Sequence, residues 1–132
     1  MIVVCLFVTS ACYGQSTAQN PIHQLRIYEI FKDNKQALHE RFKDHTVRIM
    51  KNYGFQLVAI WETEYADKLE LVYLLEWKDE STMTEAWKKF KADQEWIDIK
   101  KKTSAEHGTL VGEIEDRVLT LKDYSPSKSL LK

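Results

Sequence analysis

The sequence predicts an α+β fold, a four-stranded antiparallel sheet with helices packed on one face. Three observations predict it. Residues 22–31 alternate in the manner of a strand. Residues 34–53 repeat apolar side chains at three- and four-residue spacing. Two strand-like runs, 55–63 and 69–77, then lie close enough to pair as a hairpin before a second helix and a last strand. The order β-α-β-β-α-β is the ferredoxin-like split βαβ arrangement.

The first strand reads IHQLRIYEIF. His23, Leu25, Ile27, Glu29 and Phe31 share one face; Ile22, Gln24, Arg26, Tyr28 and Ile30 share the other. The first face is aliphatic at its centre and is expected to pack on the helices. The second is polar at its centre and is expected to face away from them.

In the helix that follows, Asp33 and Gln36 have capping-box spacing. Leu38, Phe42, His45, Ile49 and Tyr53 form the apolar side, and Gly54 suits the residue that ends the helix. Lys35, Glu40, Arg41, Lys43, Asp44, Arg48 and Lys51 fall mostly on the wet side. The strand FQLVAIWET joins LELVYLLEW through a turn containing Asp67. Asp79 or Thr82 opens the second helix, whose stripe is Met83, Ala86, Trp87 and Phe90. Residues 93–104 read as a further short helix with Trp96 and Ile99, broken at His107 and Gly108. Residues 109–122 form the last strand, with Gly112 at a bulge or bend. The tail, 123–132, is expected to be loose.

The third strand sets the expected quaternary structure. Leu71, Tyr73, Leu75 and Trp77 share one side, Val72 and Leu74 the other, so both sides are apolar. A sheet with one wet face alternates more cleanly. The first set is therefore expected to be the bare face, covered by a second copy of the chain.

The N-terminus reads differently. Residues 1–14, MIVVCLFVTSACYG, resemble a secretory signal peptide, followed by a polar linker at 15–21. Cys12 after Thr9-Ser10-Ala11 offers the alternative of a lipid anchor. Of the 132 residues, removal of the first 14 leaves 118, one domain's worth. Both cysteines, Cys5 and Cys12, lie in the removed segment, so the mature chain has no disulfide or thiol chemistry. The formal charge is −1 with interleaved signs, which gives no nucleic-acid footprint.

Arg26 and Tyr28 are the first candidate site residues. A buried guanidinium needs a partner. Glu62 or Glu76 would make it structural; a polar or anionic ligand would make it functional. His45 is the most pointed candidate, since a histidine exchanges protons near neutral pH. A core histidine bonded to a carbonyl is an equal reading. His23, His39 and His107 share no metal-ligand spacing with it. Trp87 is the safest core tryptophan. No Gly-rich phosphate loop, Gly-x-Ser-x-Gly or paired Cys is present, and no cofactor is expected.

The segments QLRIYEI at 24–30, FKDHTVRIMKNYGF at 42–55, the Trp61 strand and KADQEWIDI at 91–99 resemble the NIPSNAP family of the dimeric α/β-barrel superfamily. The resemblance covers nearly the whole chain after residue 21. It implies a homodimer with two sheets face to face as a dimeric α/β barrel. His45, Trp61 and Trp96 match its pattern and are implied as pocket residues, with Arg26, Tyr28 and Tyr73. Gln24 stands where the family commonly has an acidic residue. The resemblance implies no settled reaction. An exported binding module for a small polar or anionic molecule is the first expectation. A cofactor-free enzyme of monooxygenase or mutarotase type is the second, with His45 and Tyr28 as acid/base groups and Arg26 holding substrate charge. Haem degradation is a weaker third.

Overall fold

The computed structural model describes residues 20–131; the expected leader and most of the linker lie outside them. Strands β1 (Ile22–Ile30), β2 (Gln56–Tyr65), β3 (Lys68–Trp77) and β4 (Val111–Thr120) form one antiparallel sheet in the order β2-β3-β1-β4. That is the predicted ferredoxin-like order. Helices α1 (Lys35–Arg41) and α2 (Val47–Asn52) are joined by one π-helical turn, Phe42–Thr46. Helices α3 (Glu80–Ala92) and α4 (Gln94–His107) follow β3.

Local chemistry explains most boundaries. Ala66 and Asp67 both have positive φ, the backbone of a tight two-residue hairpin turn. Asp79 accepts from the N–H of Thr82 and Asp93 from that of Trp96, so each caps a helix. Gly54 has φ +81° at the end of α2, a conformation other residues rarely adopt. The β1–β4 register shifts between Tyr28 and Ile30. Glu29 fills this bulge by accepting from the N–H of Glu113. A Cβ on Gly112 would stand 2.6 Å from the Glu29 carboxylate, so a larger residue there would displace that side chain.

Two expectations about the first helix change. Asp33 does not cap it: Asn34 takes the cap position and donates to the carbonyls of His107 and Thr109, tying helix start to α4 end. The helix is also not uniform. Its π turn widens the spiral by one residue per turn, and Thr46 Oγ1 donates 3.2 Å to the Arg41 carbonyl.

The largest correction concerns the sheet faces. Leu71, Tyr73, Leu75 and Trp77 are at most 1% exposed and pack with Leu38, Phe42, Ile49, Phe55 and Phe90 under the helices. They are the core, not the bare face. Residues paired across antiparallel strands share a face, and Gln24, Arg26 and Tyr28 pair with Leu75, Tyr73 and Leu71. The polar centre of β1 therefore lies under the helices, and Leu25 and Ile27 lie on the bare side. The polar residues are tolerated there because each finds a hydrogen-bond partner.

The bare face carries Leu25, Ile27, Val72, Leu74, Ala59 and Trp61 at its centre, the last 50% exposed. Residues 122–131 contain no helix or strand, but they are not free of the sheet. Ser129 Oγ and the Leu130 N–H both donate to Glu76, 2.7 and 2.8 Å away. His23 meets the same carboxylate at 2.9 Å.

Candidate functional site

Under the helices a chain of polar groups crosses the sheet from β4 to β3. Asp116 on β4 accepts from Arg26 Nη1 at 2.8 Å and from Gln24 Nε2 at 2.9 and 3.0 Å. Arg26 Nη2 donates 3.3 Å to the Tyr28 hydroxyl, which shares a 2.7 Å hydrogen bond with the Tyr73 hydroxyl. The Arg26 guanidinium also lies 4.4 Å from the centre of the Trp87 ring on α3, within cation–π range. Its Nε–H is buried and has no acceptor among the described residues.

Gln24 organises one end of this chain. It is 1% exposed. Its carbonyl accepts from the indole N–H groups of both Trp77 (3.0 Å) and Trp87 (2.8 Å), while its amide donates to Asp116. An acidic residue here would accept both indoles equally well. It would have no hydrogen to give Asp116 and would set two carboxylates together. A glutamine at this position therefore fits the carboxylate on β4.

Electrostatics follow from this packing. Burial pushes the Tyr73 phenol well above its ordinary value; Tyr28 adds to the rise and Arg26 opposes it. Burial also works against the charge on Arg26, but the Tyr28 and Tyr73 oxygens outweigh it and the pKa lies above the ordinary arginine value. The site is thus a fixed cation, paired with Asp116, near a Tyr73 phenol that burial keeps protonated.

Toward solvent, Gln24, Trp87 and Asp116 form one wall of a cleft of about 610 Å³ between β1, β4 and α3. Met83, Lys88 and Lys91 line the α3 side. The cleft exists because β4 is the least covered strand on this face: Ile114 and Val118 remain 50% and 48% exposed. Two clefts of similar size, at the β2–β3 turn and between α1 and β2, have no comparable buried polar network.

The predicted set separates. Arg26, Tyr28 and Tyr73 come together. Trp61 pairs with Val72 and points to the bare side of the sheet, so it is not their neighbour. Trp96 is a core residue on α4, its ring centre 5.0 Å from that of Phe90. His45 lies in the π turn and lines a groove against α4, with no hydrogen bond to the Arg26 cluster. The helix–sheet arrangement thus does not assemble His45 and Tyr28 as an acid/base pair. Neither expected partner of Arg26 is used. Glu62 is bonded by Lys35 and His39, each at 2.7 Å, and Glu76 by His23.

Sequence reasoning missed Asp116, Trp87 and Arg41. Asp116 is the carboxylate in the middle of an outer strand, in line with Arg26. Trp87 stands on the apolar stripe but is only half-buried, and its N–H is the clue. Arg41 was placed on the wet side, yet it is 8% exposed. Among the described residues, no group of three or more His, Cys, Asp or Glu is placed to hold a metal ion. No described helix is long and apolar enough to cross a membrane.

The sequence pattern of NIPSNAP matches residues 23–126. The chain belongs to the NIPSNAP family. Among solved structures, an uncharacterised NIPSNAP-like domain protein from Burkholderia xenovorans superposes with a TM-score of 0.70 at 17% identity, covering 84% of this chain and 93% of that one. A NIPSNAP family protein from Agrobacterium tumefaciens gives 0.69 at 21% identity, with coverage of 80% and 97%. The cofactor-independent oxygenase SnoaB from Streptomyces nogalater gives 0.51 at 13% identity, with coverage of 82% and 99%. At these identities the likeness to solved structures is one of fold. No curated protein matches the sequence.

Proposed function

We propose that this NIPSNAP chain is an exported homodimeric α/β-barrel module that binds a small anionic or polar molecule in the cleft between β1, β4 and α3. The observation that carries the binding reading is Arg26. It is a half-buried guanidinium, paired with Asp116 and left with an unpartnered Nε–H, and its neighbours Gln24, Trp87 and Asp116 line the cleft. Lys88 and Lys91 add two positive charges at the rim against the single carboxylate of Asp116. An anion is therefore favoured over an apolar ligand, and the Trp87 ring offers a flat apolar wall beside the charge.

The bare sheet face supports the dimer. Leu25, Ile27, Val72, Leu74 and Trp61 would be buried if two copies packed sheet to sheet, each presenting the same patch to the other. The apolar run at residues 2–8 and its small-residue sequel support export, with a lipid on Cys12 as the alternative. N-terminal sequencing from the native host separates these: Gln15 first supports soluble export, and lipidated Cys12 the anchor. An intact Met1 contradicts export.

Mass spectrometry of small molecules that co-purify with the native protein tests the binding reading. The compound identified is then titrated into wild type and Arg26→Ala. Loss of affinity in the variant supports the site. Equal affinities with lower thermal stability would make Arg26 structural and remove the anchor of the reading. The enzyme reading is not favoured by geometry, because His45 is elsewhere and burial holds the Tyr73 phenol protonated.

A further inference from the structure

A buried guanidinium, that of Arg41, lies between the first helix and α4, and it does not line the Arg26 cleft. Arg41 is 8% exposed. Its Nη1 donates 2.9 Å to Thr103 Oγ1, a neutral partner, and its Nε–H has no acceptor among the described residues. No described carboxylate lies within ion-pair distance. Its guanidinium is 5.4 Å from the centre of the Trp96 ring, which compensates only part of the charge. Burial accordingly lowers its pKa, although Tyr28 opposes the fall. An unpaired buried charge is among the costliest features a fold can retain.

The surroundings suggest why it is retained. Arg41 forms part of the wall of a groove of about 280 Å³ between the first helix and α4. The π turn begins at the next residue, a device common beside binding sites. Glu40, Asp44 and Glu106 stand exposed around the same groove. Lys102, His45 and His107 share the lining, so the rim sets three carboxylates against one lysine, with the Arg41 cation inside. A bare dianion such as phosphate would meet repulsion on the way in. A small molecule with a carboxylate at one end and an ammonium at the other matches both layers. The volume accommodates a molecule of few heavy atoms.

We infer that the groove between the first helix and α4 is a binding site for a small amino acid, its carboxylate on Arg41 and its ammonium at the Asp44–Glu106 rim. The Arg41 guanidinium would hold the carboxylate by a charge-assisted hydrogen bond on the side it presents to the groove. The site shares no lining residue with the Arg26 cleft, so either can fail without the other.

The test uses the full chain and follows the Nε–Hε signals of its arginines by NMR, with Arg41 assigned from the Arg41→Lys variant. Glycine, acetate and phosphate are the probes. Glycine is expected to shift the Arg41 signal saturably. Acetate, lacking the ammonium, is expected to bind more weakly by about tenfold, the effect of about 1.4 kcal/mol. Asp44→Asn with Glu106→Gln, both at exposed positions, is expected to abolish that preference without unfolding the protein. No saturable shift with glycine would overturn the site. An equal response to glycine and acetate, or a phosphate response exceeding both, would overturn the amino-acid assignment. Persistence of the preference in the rim variant would also overturn it.

Discussion

At the centre of β1 the helix-covered face is polar and the bare face apolar. Under the helices, β1 presents Gln24, Arg26 and Tyr28; toward the open side it presents Leu25 and Ile27. In an ordinary one-sided sheet the opposite holds. The difference teaches that burial is not the same as apolarity. The polar face is affordable because Asp116, Trp77, Trp87 and Tyr73 take up its hydrogen bonds. The apolar face makes sense once another surface covers it.

The sharpest way to break this comparison is Tyr73→Lys. As Tyr73 is fully buried, the variant places an ammonium in the core, and unpaired burial of this kind costs several kcal/mol, about half of a typical domain's stability. Loss of the folded far-ultraviolet spectrum is the expected result. A folded monomer would put Tyr73 back on a bare face. Val72→Asp, one residue away, is expected to do the reverse: the chain stays folded and sediments as a monomer.

Gln24 sharpens the polar side. Gln24→Leu leaves two indole donors without an acceptor and is expected to lower stability by about 2–4 kcal/mol in urea unfolding. Gln24→Glu keeps both acceptor bonds but faces Asp116. Facing Asp116, the new carboxyl should have a raised pKa in the folded state, so its penalty sets in as pH rises above the unfolded value of about 4.3 and vanishes in acid. An unchanged pH profile would mean that Gln24 and Asp116 do not face one another.

The smallest expected effect is at the sheet's end. Burial opposes the charge on Glu76, but bonds from Ser129, the Leu130 N–H and His23 outweigh it and hold the carboxyl below its usual value. A lowered folded pKa contributes stability that is present above the unfolded value of about 4.3 and lost as pH falls through the folded one. Thermal melts between those limits should show the loss in wild type, and Glu76→Gln should flatten it.

Element order, the hairpin, a helix start at Asp79 or Thr82 and the bend at Gly112 were legible, because each depends on a few neighbouring residues. The sheet's sidedness was not. Periodicity sorts β1 into two faces but cannot say which one meets a helix. The aliphatic centre, Leu25 and Ile27, was the natural choice until the partners of Gln24 and Arg26 were known. Those partners lie 53 to 92 positions away in sequence. Arg41 was misplaced because a π turn shifts the helical phase, and no residue in 41–46 announces one.

Native mass spectrometry of wild type beside Val72→Asp tests the division of labour between the two faces most directly, since one spectrum reports both subunit number and bound small molecule. The account predicts a wild-type dimer carrying its ligand and a Val72→Asp monomer still carrying it. A ligand lost together with the dimer would place the site on the bare face and contradict the assignment to Arg26.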